Sequence, residues 1–337
     1  MKKATEDILD DIASRVFAMP IDVLWKSLEL MPGAGERRSQ SRGSNGYEIV
    51  ARQPYEPGDD PRDIDHYATA QSGDDTIITI SFEEPRDITI ATIVDVSRRM
   101  QFGTKRTDKR VVSAELLASI LACADKTQDR VKVLTASETQ VETRFGPRGA
   151  KTIFAPAMEA ILEPPEPILA PQPGTATNGG FLRSLGGLRR HASSSPAQGT
   201  APVESGKREA FEELPRTRSL VFVISDFIGL SDEEKEALRD AAAVHDVVCV
   251  VIQDRREREL PAGRGLYTFR DIVSGQTRTI WLNQANREQF KQNAQKRLDE
   301  LAAFFTDANC DYGVFSTEQD ADEVIPEMMR LFGGHRR

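Results

Sequence analysis

The sequence predicts an α/β protein built on a doubly wound, mostly parallel, Rossmann-like sheet with an N-terminal helical and β extension. Three observations predict it. Short, predominantly apolar runs at 87–94, 219–224 and 247–252 have the length and β-rich composition of strands buried on both faces. Stretches with helical periodicity lie between such runs, as a parallel sheet with crossover helices requires. Two of the runs open onto a carboxylate, Asp95 and Asp226, at the strand end where open α/β sheets hold their ligands.

In chain order, residues 1–46 read as an N-terminal helix and a polar connector. Ile8, Ile12 and Val16 recur at i+4 with Leu9, Ala13 and Phe17 beside them, until Pro20 interrupts. Residues 31–46 are rich in Gly and Ser. Residues 47–86 form a compact, highly charged unit around the turn sequence Pro57-Gly58-Asp59-Asp60-Pro61. Within it Thr76–Phe82 alternates as a half-buried strand, with Ile78, Ile80 and Phe82 on one face.

Residues 87–337 form the main domain. A helix is predicted over 107–126, capped by Thr107 and lined by Leu116, Leu117, Ile120, Leu121 and Ala124. Strands at 130–136 and 139–145 suit a hairpin. Ser231-Asp232-Glu233-Glu234 is a capping box that opens a helix. A second hairpin is predicted over 266–281, turning at Ser274-Gly275, then a helix over 284–305, a strand at 312–315 and a C-terminal helix that Pro326 kinks. Prolines at 156, 164, 165, 167, 171 and 173, and the serines at 193–195, predict flexible insertions around 155–178 and 191–217, with a short helix between them at 179–190.

Composition narrows the function. Hydrophobic content of 39% and charged content of 29% suit a globular protein, and a net charge of -9 argues against nucleic acid as a general partner. No run is apolar enough to insert in a membrane and no signal peptide is evident, so a cytoplasmic location is expected. Cys123, Cys249 and Cys310 lie in apolar contexts without C-x-x-C spacing and read as buried thiols. His66, His191, His245 and His335 have no mutual ligand spacing. There is no G-x-S-x-G elbow, no G-x-G-x-x-G after a strand and no phosphate loop, which argues against nucleophilic catalysis and nucleotide binding.

The candidate site is acidic. Asp95 and Ser97 are hard oxygen donors two residues apart, of the kind Mg²⁺, Ca²⁺ or Mn²⁺ takes, and Asp226 on a neighbouring strand would join them. A loop threonine, Thr175 or else Thr177, would complete the set. Position 99, where another hydroxyl is expected, holds an arginine. Either its guanidinium turns inward and replaces the metal against Asp95 and Asp226, or it turns outward and water fills the missing place. The plainer alternative is that both acids cap the helices that follow them or pair with arginines.

The run Arg52, Tyr55, Pro57-Gly58-Asp59-Asp60, Arg62, Ile64-Asp65, Ala68, Ala70 resembles the hallmark of the domain of unknown function 58 family. Arg42-Gly43-Ser44, Phe82-Glu83-Glu84, Asp95-Val96-Ser97, Ile224-Ser225-Asp226-Phe227 and the stretch from His245 to Pro261 also fit. The resemblance implies a von Willebrand factor A-like domain with a metal-ion-dependent adhesion site at Asp95, Ser97, Thr175 and Asp226. Arg99, His66 and Gln71 depart from the family's usual serine, tryptophan and arginine. It also implies a partner, a MoxR-type AAA ATPase, and a role as a non-enzymatic adaptor that helps remodel a client protein or load it with metal or cofactor. Alternatives are a metal-dependent hydrolase using Asp95 and Asp226, or a structural scaffold whose metal site is dead. Arg52, Tyr55, Gly58, Asp59, Asp60, Arg62 and Asp65 would serve structure, as a salt-bridged turn, or interaction.

Overall fold

The computed structural model of the protein describes residues 8–14, 49–55, 61, 64–73, 76–82, 89–104, 108–127, 129–163, 205–273, 275–319, 323–324, 327–328 and 331. These fall in two compact units, one within Leu24–Asp87 and one formed by Met1–Val23 with Ile88–Arg337.

In the smaller unit β1 (Ile49–Pro54) pairs antiparallel with β2 (Ile78–Phe82), and α1 (His66–Gln71) lies between them in sequence. Asp65 starts α1. Its Oδ1 accepts from the backbone N–H groups of Tyr67 at 3.0 Å and Ala68 at 2.9 Å, and its Oδ2 from Arg52 Nε at 2.9 Å. The hydrogen bond from Ala68 N–H, with Arg52 beside it, holds the Asp65 carboxyl below its ordinary value. An ion pair therefore does tie Arg52 to an aspartate at this turn. On β2 Thr79 is buried and Ile78 half-buried, while the side chains of Ile80 and Phe82 lie outside the described ones. Gly58, Asp59, Asp60 and Arg62 lie outside the described residues, as do the connector at 31–46 and most of the predicted N-terminal helix, of which 8–14 is helical with Ile12 buried.

The larger unit is built on a six-stranded sheet. Its strands are β3 (Thr89–Asp95), β4 (Arg130–Ala136), β5 (Val141–Gly149), β6 (Leu220–Ser225), β7 (Asp246–Gln253) and, last in sequence, β10 (Asp311–Ser316). The spatial order is β10-β7-β6-β3-β4-β5, parallel throughout except for β5, which pairs antiparallel with β4 at the edge. Numbered within this sheet alone the order is 3-2-1-4-5-6, so the direction of winding reverses between β3 and β6 and leaves a crevice at their C-terminal ends. The apolar runs form these strands because both faces are covered. Ala91, Ile93, Val221, Val223, Cys249 and Val251 pack against helices α4 (Gly206–Glu212), α5 (Asp232–Val244) and the end of α7 (Gln284–Asp307). Residues of the other parity, such as Ile90, Val94, Phe222 and Val250, are equally buried, on the face that α2 (Lys109–Thr127) approaches with α3 (Ala150–Leu162) beside it. Beyond β7 come the single turn α6 (Arg255–Arg258) and the hairpin of β8 (Gly265–Arg270) and β9 (Thr277–Leu282).

The capping box at Ser231 and Glu234, the hairpin over 265–282 and the helix from 284 form where the sequence places them. Thr107 lies outside the described residues; Asp108 supplies a cap to α2, its Oδ1 accepting from Val111 N–H at 3.1 Å. The two expected insertions need correction. Residues 155–162 are not a flexible loop but the second half of α3, which runs through Pro156. Proline removes one donor and is usually disruptive, but Pro156 is exposed, and the stripe Ile153, Ala157, Met158 and Ile161 is fully covered, so burial outweighs the lost bond. Residues 206–212, placed in the second insertion, are α4, with Ala210 and Phe211 in the core. Residues 164–204, including the predicted helix at 179–190, and most of the C-terminal helix lie outside the described residues.

Candidate functional site

Asp95 ends β3, and Asp226 follows directly on β6. Because Val94 stands opposite Ile224, the two acids reach the same rim of the crevice. Both are buried, at 1% and 3% exposure. Every carboxylate oxygen has a donor. Asp95 Oδ1 accepts from Ser97 N–H at 2.9 Å, and Asp95 Oδ2 accepts from Ser225 Oγ at 2.6 Å and from Lys207 Nζ at 2.8 Å. Asp226 Oδ1 accepts from Ile228 N–H at 3.0 Å, and its Oδ2 from Lys109 Nζ at 2.8 Å. Lys109 is wholly inaccessible and also donates to Glu257 Oε1 at 2.7 Å.

The electrostatics follow from burial and pairing. Burial alone would push the Asp226 carboxyl up. The ammonium groups of Lys109 and Lys207 and the guanidinium of Arg99 overcome it and hold the group at about 2. Burial works against the charge on Lys207, but Asp95, Glu234 and Asp226 raise it above the ordinary lysine value. Lys109 is likewise raised by Asp226 and Glu257 against the effect of burial. Glu257 is shifted up because burial outweighs its ammonium partner. A third acid closes the rim at β7. Asp254 accepts from Thr104 N–H at 2.9 Å and from Thr317 Oγ1 at 2.7 Å, and Glu257 Oε2 accepts from Asp254 N–H at 3.0 Å.

Of the two elements that deliver the lysines, the helix over 107–126 was legible in the sequence and α4 was not. Lys109 is the first residue of α2, and Lys207 the second of α4, inside the stretch expected to be an insertion. Helix α4 is seated by several contacts. Glu209 Oε2 accepts from Val141 N–H at 2.9 Å, Arg144 pairs with Glu209 and Glu213, and Lys132 donates to the Glu213 carbonyl. Gly206 lets the helix start against the neighbouring loop, for a Cβ there would stand 2.3 Å from the Gln140 carbonyl oxygen and 2.7 Å from that of Ser137.

Arg99 takes neither of the two positions expected of it in full. Its charge acts on Asp226, yet its Nη1 donates to the Ile228 carbonyl and not to either aspartate. It lines a cavity of about 70 Å³ with Phe102, Ile228, Glu257, Asp271 and Ile272. The internal counter-ions of the acids are Lys109 and Lys207. Ser97 contributes its backbone N–H, and its hydroxyl makes no capping bond to the turn that follows. Thr175 and Thr177 lie outside the described residues. Among the described residues no three His, Cys, Asp or Glu side chains gather as metal ligands would.

Among the described residues, this donor set does not fit a divalent cation. Mg²⁺ or Ca²⁺ needs six or more oxygens within about 2.0–2.6 Å. Here the oxygens of Asp95 and Asp226 already face N–H, hydroxyl and ammonium donors, and two ammonium groups stand where the ion's charge would be.

The three cysteines are buried free thiols, and His245, the C-cap of α5, is buried with its charged form disfavoured by burial. No helix among the described residues is long and apolar enough to cross a membrane.

The family model of DUF58, a protein family of unknown function, matches residues 51–300. No curated protein matches the sequence. Among solved structures, the chain is similar to the conserved hypothetical protein BatB of Bacteroides thetaiotaomicron, with 13% identity over 72% of this chain and 98% of that one and a TM-score of 0.37. It is similar to an aerotolerance-related membrane protein of Bacteroides fragilis at 11% identity, covering 73% and 98%, with a TM-score of 0.36. A von Willebrand factor type A protein of Catenulispora acidiphila shares 12% identity over 76% of this chain and 43% of that one, with a TM-score of 0.32. Likenesses this remote say nothing of activity, and the fold rests on its own strand order. The chain belongs to the DUF58 family.

Proposed function

We propose that this DUF58 protein is a non-enzymatic interaction adaptor that works with a MoxR-type AAA ATPase in the remodelling or maturation of a client, including insertion of its metal or cofactor. One observation carries the choice of binding over chemistry: the acids at the switch point are buried and matched with fixed cations. A general-base role needs a carboxylate free to take up a proton, and Asp226, held at about 2 by Lys109, Lys207 and Arg99, is too weak a base near neutrality for that role. The rim then serves as a rigid, charge-balanced platform at the place where doubly wound sheets bind. The ATPase partner is what the resemblance of the run from Arg52 to Ala70 to the family's hallmark implies. An ATP-driven partner places this work in the cytoplasm.

The test is affinity capture from the native host with the full chain, in the presence and absence of chelator. Capture of a MoxR-type ATPase in both conditions is the expected result. If no such ATPase is retained, the adaptor role is lost. Turnover of generic phosphate or ester substrates that disappears in Asp95→Ala would instead favour the hydrolase.

A further inference from the structure

We infer that the ammonium of Lys207 is the resident cation of this crevice, a built-in replacement for a divalent ion, so that the domain works without metal at its acidic rim. The geometry is that of an occupied cation position. Lys207 Nζ lies 2.8 Å from Asp95 Oδ2, the oxygen that Ser225 Oγ also contacts at 2.6 Å, and the carboxylates of Glu234 and Asp226 act on the same ammonium. Glu234 is itself fixed, accepting from Ser205 Oγ at 2.6 Å and from Ser231 N–H at 2.8 Å. Lys207 therefore sits in contact with Asp95, with the charges of Glu234 and Asp226 also favouring its ammonium form.

Its partner Lys109 does the same work one layer deeper, joining Asp226 to Glu257. The Lys109 side chain is 0% exposed, while that of Lys207 is 12% exposed, so Lys207 is the cation nearer solvent. Placing a divalent ion beside two ammonium groups would add like-charge repulsion to the desolvation penalty of the ion. An ammonium on a helix pinned by Glu209, Glu213 and the Gly206 contact is already in position and needs no ion from solution.

The experiment is titration of the full chain with MgCl2, CaCl2 and MnCl2 by calorimetry, with manganese EPR alongside. Wild type is expected to take up none of the three at millimolar concentration. Removing the ammonium in Lys207→Ala is expected to open the position, so that Mn²⁺ binds roughly tenfold or more tightly than to wild type and Mg²⁺ raises the Tm of the variant alone. If Lys207→Ala does not fold, Lys207→Gln, which keeps a polar stem, takes its place. Uptake of one ion by wild type that Asp95→Asn abolishes would overturn the inference, as would a folded Lys207 variant that still ignores all three ions. No partner protein is needed, so a failed ATPase capture leaves this inference standing, and metal uptake by wild type leaves the adaptor role standing.

Discussion

Lys109 has a fully buried ammonium held by two carboxylates, and single-residue changes here separate the roles of the cations. Lys109→Met strands Asp226 and Glu257 without their counter-ion, and loss of one partner from a buried pair typically costs about 3–5 kcal/mol. We expect a loss of that size in chemical denaturation. Arg99→Ser should cost only about 1 kcal/mol, because the guanidinium is half-buried and gives up one bond to the Ile228 carbonyl. Equal losses in the two variants would show that Arg99 is the true counter-ion. The acids were legible in the sequence because a carboxylate after an apolar strand is a local pattern. The lysines were not, since they meet Asp226, Glu257 and Asp95 only across long stretches of chain, as the sequence separation of 117 between Lys109 and Asp226 illustrates.

Helix α4 is the element on which the rim depends, and its position is set by an absent side chain. Gly206→Ala would press a methyl group into the carbonyls of Gln140 and Ser137, which are backbone and cannot swing away. A cost of about 1–3 kcal/mol is expected, together with a displaced Lys207. Unfolding midpoints would read the cost, and a changed Asp95 environment in NMR would read the displacement. The central strands β3, β6 and β7 were legible because each is a predominantly apolar run, and the capped helix α5 because its box is encoded in four consecutive residues. Helices α3 and α4 were not, because prolines and neighbouring serines mask a helical stripe that only tertiary packing fixes, on α2, β4 and β5 for α3 and on α5, β3, β4 and β5 for α4. Tertiary burial overrides local propensity in both.

For the molecule as a whole, the rim groups set how stability varies with pH. Asp226 has an ordinary value of 3.8 and a folded value of about 2. A lowered acid contributes stability above its unfolded value and loses it as pH falls through the folded one. The acid limb below about pH 4 should therefore carry roughly 2 kcal/mol from this group. Lys109 and Lys207 are raised above 10.5, so their contribution is complete below that value and fades at higher pH, as pH rises through their folded values. The expected profile of unfolding free energy is a plateau that falls at both ends. Asp226→Asn should flatten the acid end, and an unchanged acid slope in that variant would exclude the carboxylate as its source.

The antiparallel strand at the flank of the sheet has its own consequence. β5 pairs with β4 through two register shifts, and its length includes Arg144, Pro147 and Arg148. Proline offers no N–H to an approaching chain, irregular register twists the border, and guanidinium groups repel their own copies. Lateral growth by strand addition is thereby discouraged on that side, which protects a protein full of Val- and Ile-rich segments from stacking into fibrils.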